Sequence, residues 1–397
     1  MHSQDPISIL IVDDESANLQ AFISFLQKST LELNILNAVN GEMALKIAEI
    51  KHPDLVIMDW EMPVMDGIEA LRRLKANPET EDIPVIIATG KMTEPKYIEE
   101  AFDAGAADFL RKPVEQLELL SRVRSVLNLS RSYRQIKQQN KEIRESIVYA
   151  SRIQQSLLPQ ISDLGRAVSD AFVLYQPRDI VSGDFYWMRT KRKQLVLACA
   201  DCTGHGVPGS FMTILGMNHI TQIYRDFRDI EINILLDELN ERICAILRQT
   251  YGNLEEQVVP PMDGMDIAFC KIETDTGKIT FASAGRPMYL VKNGQLEVVK
   301  GSPRPIGGTS LMYQYNYEKY EVDVAPGDCV YLFSDGITDQ FSANNSRKFG
   351  AKRMKEMILG MHHEPMSRQK EIVEQTLAAW QGENEQTDDI CVIGLRI

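Results

Sequence analysis

The stretch LVLACADCTGHGVPGSFM, Leu195 to Met212, decides the reading of the second half of the chain. It begins as an apolar run of small and branched residues, the pattern of a buried strand. It then places Asp201 where the run stops and continues into Gly204-His205-Gly206. A single carboxylate at a strand end is as well explained by a turn as by a ligand site. The decision rests on whether other carboxylates arrive in the same way, and they do. Asp184 sits in VSGDFYW, Asp335 follows CVYLFS, and Asp388 and Asp389 begin DDICVIGL. Carboxylates gathered at one edge repel one another. Divalent cations relieve that repulsion, and an all-oxygen donor set points to magnesium or manganese. Two such ions activate a bridging water and clamp the attacking and leaving oxygens of a phosphoryl transfer.

Around these residues, strand-like runs with turn signals dominate from about 170 onward. They are KQLVLACAD, MDIAFCKIETDTGKITFASAG, MYLVKNGQLEVVK, GDCVYLFSDG and DDICVIGLRI. TDTG and KNGQ read as hairpin turns. Helical patterns appear at PGSFMTILGMNHITQIY, INILLDELNERICAILRQT and RQKEIVEQTLAAW. This half is expected to be an α+β sandwich with sheets inside and helices outside.

The first half alternates differently. ISILIV runs into Asp13-Asp14, PDLVIM into Asp59, IPVIIA into Thr89 and AADFL into Lys112-Pro113, with LNILNAV as a further strand. Amphipathic stretches such as SANLQAFISFLQKS and GIEALRRLKAN lie between them. Continuous apolar strands with helical crossovers predict a five-stranded parallel sheet covered on both faces, with its site beyond the carboxyl ends of the strands. Asp13, Asp14, Asp59, Thr89 and Lys112 therefore converge there. Such a set holds a hard cation, leaves one carboxylate to attack a phosphoryl group, and pairs the new oxygens with a lysine and a hydroxyl.

The chain has 397 residues, suited to two domains and a connection. Its hydrophobic share of 44% and charged share of 25% are those of globular proteins, and its net charge of -13 argues against nucleic-acid binding. No apolar stretch approaches the length of a spanning helix, and MHSQDPISIL lacks the basic and apolar regions of a signal peptide, so a cytoplasmic location is expected. Cys199 and Cys202 form a C-x-x-C pair, but no second pair stands at a zinc spacing, and packing is the expected role.

Between the halves, Leu117 to Leu158 contains neither glycine nor proline. Leu129, Tyr133, Ile136, Asn140, Ile143, Ile147 and Ala150 recur in steps of four and three, a heptad seam that slips at Ile153 and Leu157. Asn140 at an a position favours a parallel dimer, the competing arrangement being a helix packed on its own domain. The expected divisions are residues 1–128, a coiled-coil-like linker 129–159, and residues 160–397.

The segments DD, MDWEMPVMDG, ATG and DFLRKP resemble, in order and spacing, those of a response-regulator receiver domain of the CheY-like, flavodoxin-like type. The resemblance implies Asp59 as phosphoacceptor. It implies Asp14 and Asp59 as magnesium ligands with the Glu61 carbonyl, and Asp13 in the same acidic cluster. Thr89 and Phe109 match the switch pair, and Lys112 the phosphoryl partner before a cis Pro113. Trp60 is bulkier than expected beside the phosphoacceptor. The segments SGDFYW, DCTGHG, DGMDIAF, ASAGRP, LFSDGITD and TDDICV resemble the SpoIIE-type branch of the PPM-class metal-dependent serine/threonine phosphatases. That resemblance implies Asp184, Asp201 and the Cys202 carbonyl around one Mn2+ or Mg2+, and Asp201, Asp335 and Asp388 around a second, with Asp389 as the alternative to Asp388. His205 is a candidate general acid, with loop ordering as its competing role. Arg178 is a candidate contact for substrate phosphate, and Asp263 and Asp266 are weaker candidates for a further metal or the substrate.

The expected function is a response regulator phosphorylated on Asp59 by a histidine kinase or other phosphodonor. Its output would be a phosphatase acting on a phosphoserine or phosphothreonine protein, by resemblance a STAS-type anti-sigma-factor antagonist. The alternative is a phosphorylation-controlled scaffold that sequesters its partner with little turnover.

Overall fold

β1 (Ile7–Val12) has a different core on each face. Ile7, Ile9 and Ile11 point into one, Leu10 and Val12 into the other. This is why its sequence is apolar throughout rather than alternating. The computed structural model describes residues 6–29, 32–90, 94–164, 168–191, 194–227, 229–249, 262–273, 275–308, 316–344 and 347–397. After β1 the chain alternates through α1 (Ser16–Gln27), β2 (Leu33–Ala38), α2 (Gly41–Lys51), β3 (Leu55–Asp59), α3 (Gly67–Ala76), β4 (Val85–Thr89), α4 (Pro95–Asp103) and β5 (Asp108–Arg111). The five strands are parallel in the order β2-β1-β3-β4-β5. α1 and the first turns of α5 (Gln116–Leu157) cover one face through Leu19, Phe22, Leu26, Leu119 and Val123. α2, α3 and α4 cover the other through Ala44, Leu71, Leu74 and Ala101.

α5 runs 42 residues without a break, across the expected division at 128 and 129. By internal contacts the chain separates into units of residues 1–142 and 143–397. The apolar seam of α5 faces solvent: Leu129, Tyr133, Ile136 and Ile143 are between 57 and 73% exposed. The charged side of the same turns meets the first unit, where Arg134 pairs with Asp54 at 3.1 Å and Lys137 with Asp82.

The second unit is a sandwich. Its strands are β6 (Asp170–Gln176), β7 (Asp184–Lys191), β8 (Gln194–Cys202), β9 (Gly264–Glu273), β10 (Lys278–Ala284), β11 (Met288–Lys292), β12 (Gln295–Val299), β13 (Ile306–Gly307), β14 (Lys319–Asp323), β15 (Cys329–Phe333) and β16 (Ile390–Arg396). One sheet has the order β14-β10-β9-β8-β7, with β13 on β9; the other has the order β12-β11-β15-β16-β6. Leu195, Leu197 and Cys199 of β8 face the second sheet across a core shared with Val330, Leu332, Ile393 and Leu395. Val196, Ala198, Ala200 and Cys202 face the opposite way, under α6 (Gly206–Asp226) and α7 (Ile232–Ile246). α8 (Gly336–Asp339), α9 (Gly350–Met361) and α10 (Met366–Gln381) follow, the last two packing on the outer face of the second sheet. Asn293-Gly294 of KNGQ turns β11 into β12, both residues with positive φ. TDTG joins β9 to β10, and its Thr274 lies outside the described residues. No helix among the described residues is long and apolar enough to cross a membrane.

Candidate phosphoacceptor and metal sites

Asp13, Asp14, Asp59 and Lys112 meet beyond the carboxyl ends of β1, β3 and β5. Oxygens of the three aspartates lie within 4.8 Å of one another, and among the described residues this is the carboxylate trio that closes so tightly. Lys112 Nζ is 2.6 Å from Asp13 Oδ2 and 2.8 Å from Asp59 Oδ1. Asp13 is further fixed by the Glu15 amide and Asn18. Burial raises Asp59 to about 6 against the opposing pull of Lys112. Thr89, the last residue of β4, and Phe109 of β5 are buried, and the Lys112–Pro113 peptide is cis. Glu61 is half-buried two residues past Asp59. Trp60 is also buried, edge-on to Tyr97 at 5.8 Å, so its bulk is absorbed beside α4.

In the second unit the strand registers create a row. Asp184 of β7 faces Asp201 of β8, and Asp201 faces Asp266 of β9. By alternation all three side chains take the inter-sheet side, where the second sheet delivers Asp335 after β15 and Asp388 before β16. Like charges opposite one another across strands are unfavourable unless a cation intervenes. Burial, reinforced by Asp201, raises Asp184 far above the carboxylate range; Asp184 Oδ2 is buried and has no hydrogen-bond partner. Burial pushes Asp201 up to about 8 and also raises Asp266 and Asp388. An orphaned buried carboxylate oxygen among oxygen donors fits divalent cations.

A cleft of about 420 Å³ opens over this row, lined by Asp201, Asp266, Asp335 and Asp388 with His205 at its edge. Arg286, the arginine of ASAGRP, stands among them. Its Nη2 meets Asp201 and Asp335, the latter at 2.8 Å, and its Nε lies 3.3 Å from Asp266. The sequence reading missed Arg286 and placed Asp266 only weakly. The motif ASAGRP was visible, but its arginine meets Asp201 only through the β8-β9-β10 register.

The remaining expected site residues divide. Asp388 lines the cleft, whereas Asp389 is buried beneath it, accepting hydrogen bonds from the Arg178 amide at 2.8 Å and the Gly183 amide at 2.7 Å. Cys202 lines the cleft. Asp263 and Arg178 do not; Arg178 is exposed and Asp263 accepts a hydrogen bond through its carbonyl from Gln249. His205 makes no capping bond to α6; its Nδ1 lies 2.7 Å from Asp179 Oδ2. Gly204 and Gly206 hold it between two left-handed positions, φ 84° and 65°. Cys199 and Cys202 point to opposite faces of β8, so they share no ligand, and all six cysteines are buried and outside any disulfide.

Comparison with known proteins matches both units. The response regulator receiver domain family matches residues 9–124, and the stage II sporulation protein E (SpoIIE) family matches residues 191–397. The phosphate regulon transcriptional regulatory protein PhoB of Pseudomonas aeruginosa is 38% identical over 120 residues, 30% of this chain and 51% of PhoB. The response regulator PleD of Caulobacter vibrioides is 37% identical over 118 residues, 30% of this chain and 25% of PleD. The chain thus spans about half or less of these relatives' own length. The SiaA-PP2C domain of Pseudomonas aeruginosa superposes with a TM-score of 0.57 at 30% identity, covering 65% of this chain and 98% of that domain.

Proposed function

The chain belongs to the stage II sporulation protein E family and carries a response-regulator receiver domain ahead of the family domain, and from that premise we propose a response regulator whose output is a metal-dependent protein serine/threonine phosphatase. The observation that carries this reading is the single cleft into which two sheets deliver Asp201, Asp266, Asp335 and Asp388, with the unpartnered oxygen of Asp184 at the end of the same row.

In the phosphatase unit Asp184, Asp201 and the Cys202 carbonyl would hold one Mn2+ or Mg2+, and Asp201, Asp335 and Asp388 would hold a second. Two ions bound there would activate a water for attack on phosphorus and offset charge on the phosphoryl oxygens. Asp389 ties the Arg178 and Gly183 amides together and so positions the loop before Asp184. Arg286, already in the cleft, is better placed than the exposed Arg178 to pair with the substrate's phosphoryl group. His205, oriented by Asp179, delivers a proton to the leaving serine or threonine oxygen.

In the receiver unit a carboxylate oxygen of Asp59 takes a phosphoryl group from a histidine kinase or small phosphodonor, whose own phosphorus bond breaks. Asp14, Asp59 and the Glu61 carbonyl would hold Mg2+, with Asp13 beside them. Lys112 and Thr89 receive the new phosphoryl oxygens, and Phe109 turns with Thr89. The exposed seam of α5 pairs with the seam of a second copy in a parallel homodimer, Asn140 setting the register. The substrate is a phosphorylated STAS-type anti-sigma-factor antagonist in the cytoplasm.

The test is phosphate release from a serine-phosphorylated STAS-type protein, in Mn2+ and in EDTA, before and after acetyl phosphate treatment. Metal-dependent release that changes with treatment supports the reading. Release that is unaltered by EDTA contradicts it.

A further inference from the structure

Ser151 and Gln154 form the inward stripe at the end of α5, continued by Leu158 just past it, while Tyr149, Ile153 and Leu157 stay exposed. A helix normally docks through apolar side chains. Here the most deeply buried of the three is an amide: Gln154 is 2% exposed. Its Nε2 donates to the Ser182 carbonyl at 2.6 Å, and the Ser182 amide donates back to its Oε1 at 3.0 Å. Both main-chain groups of Ser182 are thereby matched by one side chain.

Ser182 stands two residues before Asp184, and the segment is held by other side chains as well. Ser182 Oγ accepts from the Asp184 amide at 3.0 Å, and Thr213 Oγ1 donates to the Gly183 carbonyl at 2.8 Å. Asp389 accepts from the Gly183 amide. β7 begins only at Asp184; one β8 bond, from the Cys202 amide to the Gly183 carbonyl at 3.3 Å, reaches beyond it, and side-chain bonds hold the rest of the approach to that carboxylate. Among these clamps, Gln154 alone comes from α5.

We infer that Gln154 is a positioning residue through which α5 sets the place of Asp184, and with it the cation affinity of the cleft. The inference rests on the proposal that Asp184 holds a metal. Its physical basis is register. A buried amide must be fully hydrogen-bonded, and only one rotation of the helix presents it to Ser182. Turning α5 by one residue withdraws the amide and strands the Ser182 N–H. An apolar residue at the same place would tolerate such a turn.

The experiment is calorimetric Mn2+ titration of the metal-free full chain, with tryptophan fluorescence as a second signal, since Trp187 lies on β7. The sites followed are those lost in Asp201→Asn. Gln154→Leu removes both hydrogen bonds; Gln154→Glu keeps the acceptor and the shape; Ser151→Ala is the control on the same stripe. Loss of a residue that supports a metal ligand costs about 10–100-fold in affinity. That rise in dissociation constant is expected for Gln154→Leu, a smaller rise for Gln154→Glu, and none for Ser151→Ala. Wild-type Mn2+ affinity in a folded Gln154→Leu protein overturns the inference and leaves the phosphatase reading standing. If Gln154→Leu does not fold, wild-type affinity in Gln154→Glu overturns it. A wild-type protein that binds no Mn2+ at the Asp201 sites overturns both.

Discussion

Arg286 Nη2 stands 2.8 Å from Asp335 Oδ2, so the chain itself supplies a cation to part of the second-unit carboxylate row. The same nitrogen reaches Asp201, and both partners belong to the set assigned to the metals. Arginine and the proposed metals would thus compete for the same carboxylates.

Removing Arg286 should weaken the metal-free protein. Breaking a buried pair by deleting one partner costs about 3–5 kcal/mol, and the partial exposure of Asp335 places this case at the low end. Arg286→Ala should lower the Tm of that unit by about 6–12 °C in EDTA, and saturating Mn2+ should restore most of it. Thermal scans with and without Mn2+ check this; equal Tm values in EDTA would show the pair to be idle.

Stability and metal affinity should move in opposite directions with pH. Asp201 is held at about 8 by burial, against an ordinary value of 3.8. Between those values the folded chain keeps a proton that the unfolded chain has released. Metal-free stability is therefore greatest at the acid end of the window, falls as pH rises, and levels off above about 8. Metal binding expels that proton, so Mn2+ affinity rises over the same interval. Denaturant unfolding in EDTA and Mn2+ titrations at pH 6, 7 and 8 read the two slopes.

Phosphoryl uptake should depend on Lys112. Burial holds Asp59 at about 6, and Lys112 opposes that rise. Lys112→Met removes the opposition, so less of Asp59 is ionised at neutral pH and uptake from acetyl phosphate should slow. Asp59→Asn should abolish it. Phosphate incorporation followed by intact-protein mass spectrometry measures both.

The α5 seam should govern assembly. Ile136→Asp with Ile143→Asp places charge in an apolar interface and should yield monomers in analytical ultracentrifugation. Wild-type protein should sediment as a dimer. Asn140→Leu should strengthen association while loosening its register.

Much of this was legible in the sequence because both sheet systems are buried on two faces. Runs such as LVLACA and PVIIA stand out, and the carboxylates that end them are conspicuous. The connector was readable from its lack of glycine and proline, and α5 runs from Gln116 to Leu157. Residues whose roles depend on register were not readable. Asp266 gains its place only because β9 pairs with β8 so as to set it opposite Asp201. Arg286 enters the cleft from the turn after β10, and Gln154 looks like any polar helix residue until its contact with Ser182 is seen. Asp388 and Asp389 are adjacent in sequence, yet one lines the cleft and the other anchors the loop beneath it.

The most direct measurement is hydrolysis of p-nitrophenyl phosphate with Mn2+ by untreated protein, by protein given acetyl phosphate, and by Asp201→Asn. The account predicts turnover that needs Mn2+ and Asp201 and that changes with acetyl phosphate. The absence of metal-dependent turnover in both states, repeated with a phosphoprotein substrate, would contradict it and favour a scaffold that sequesters its partner.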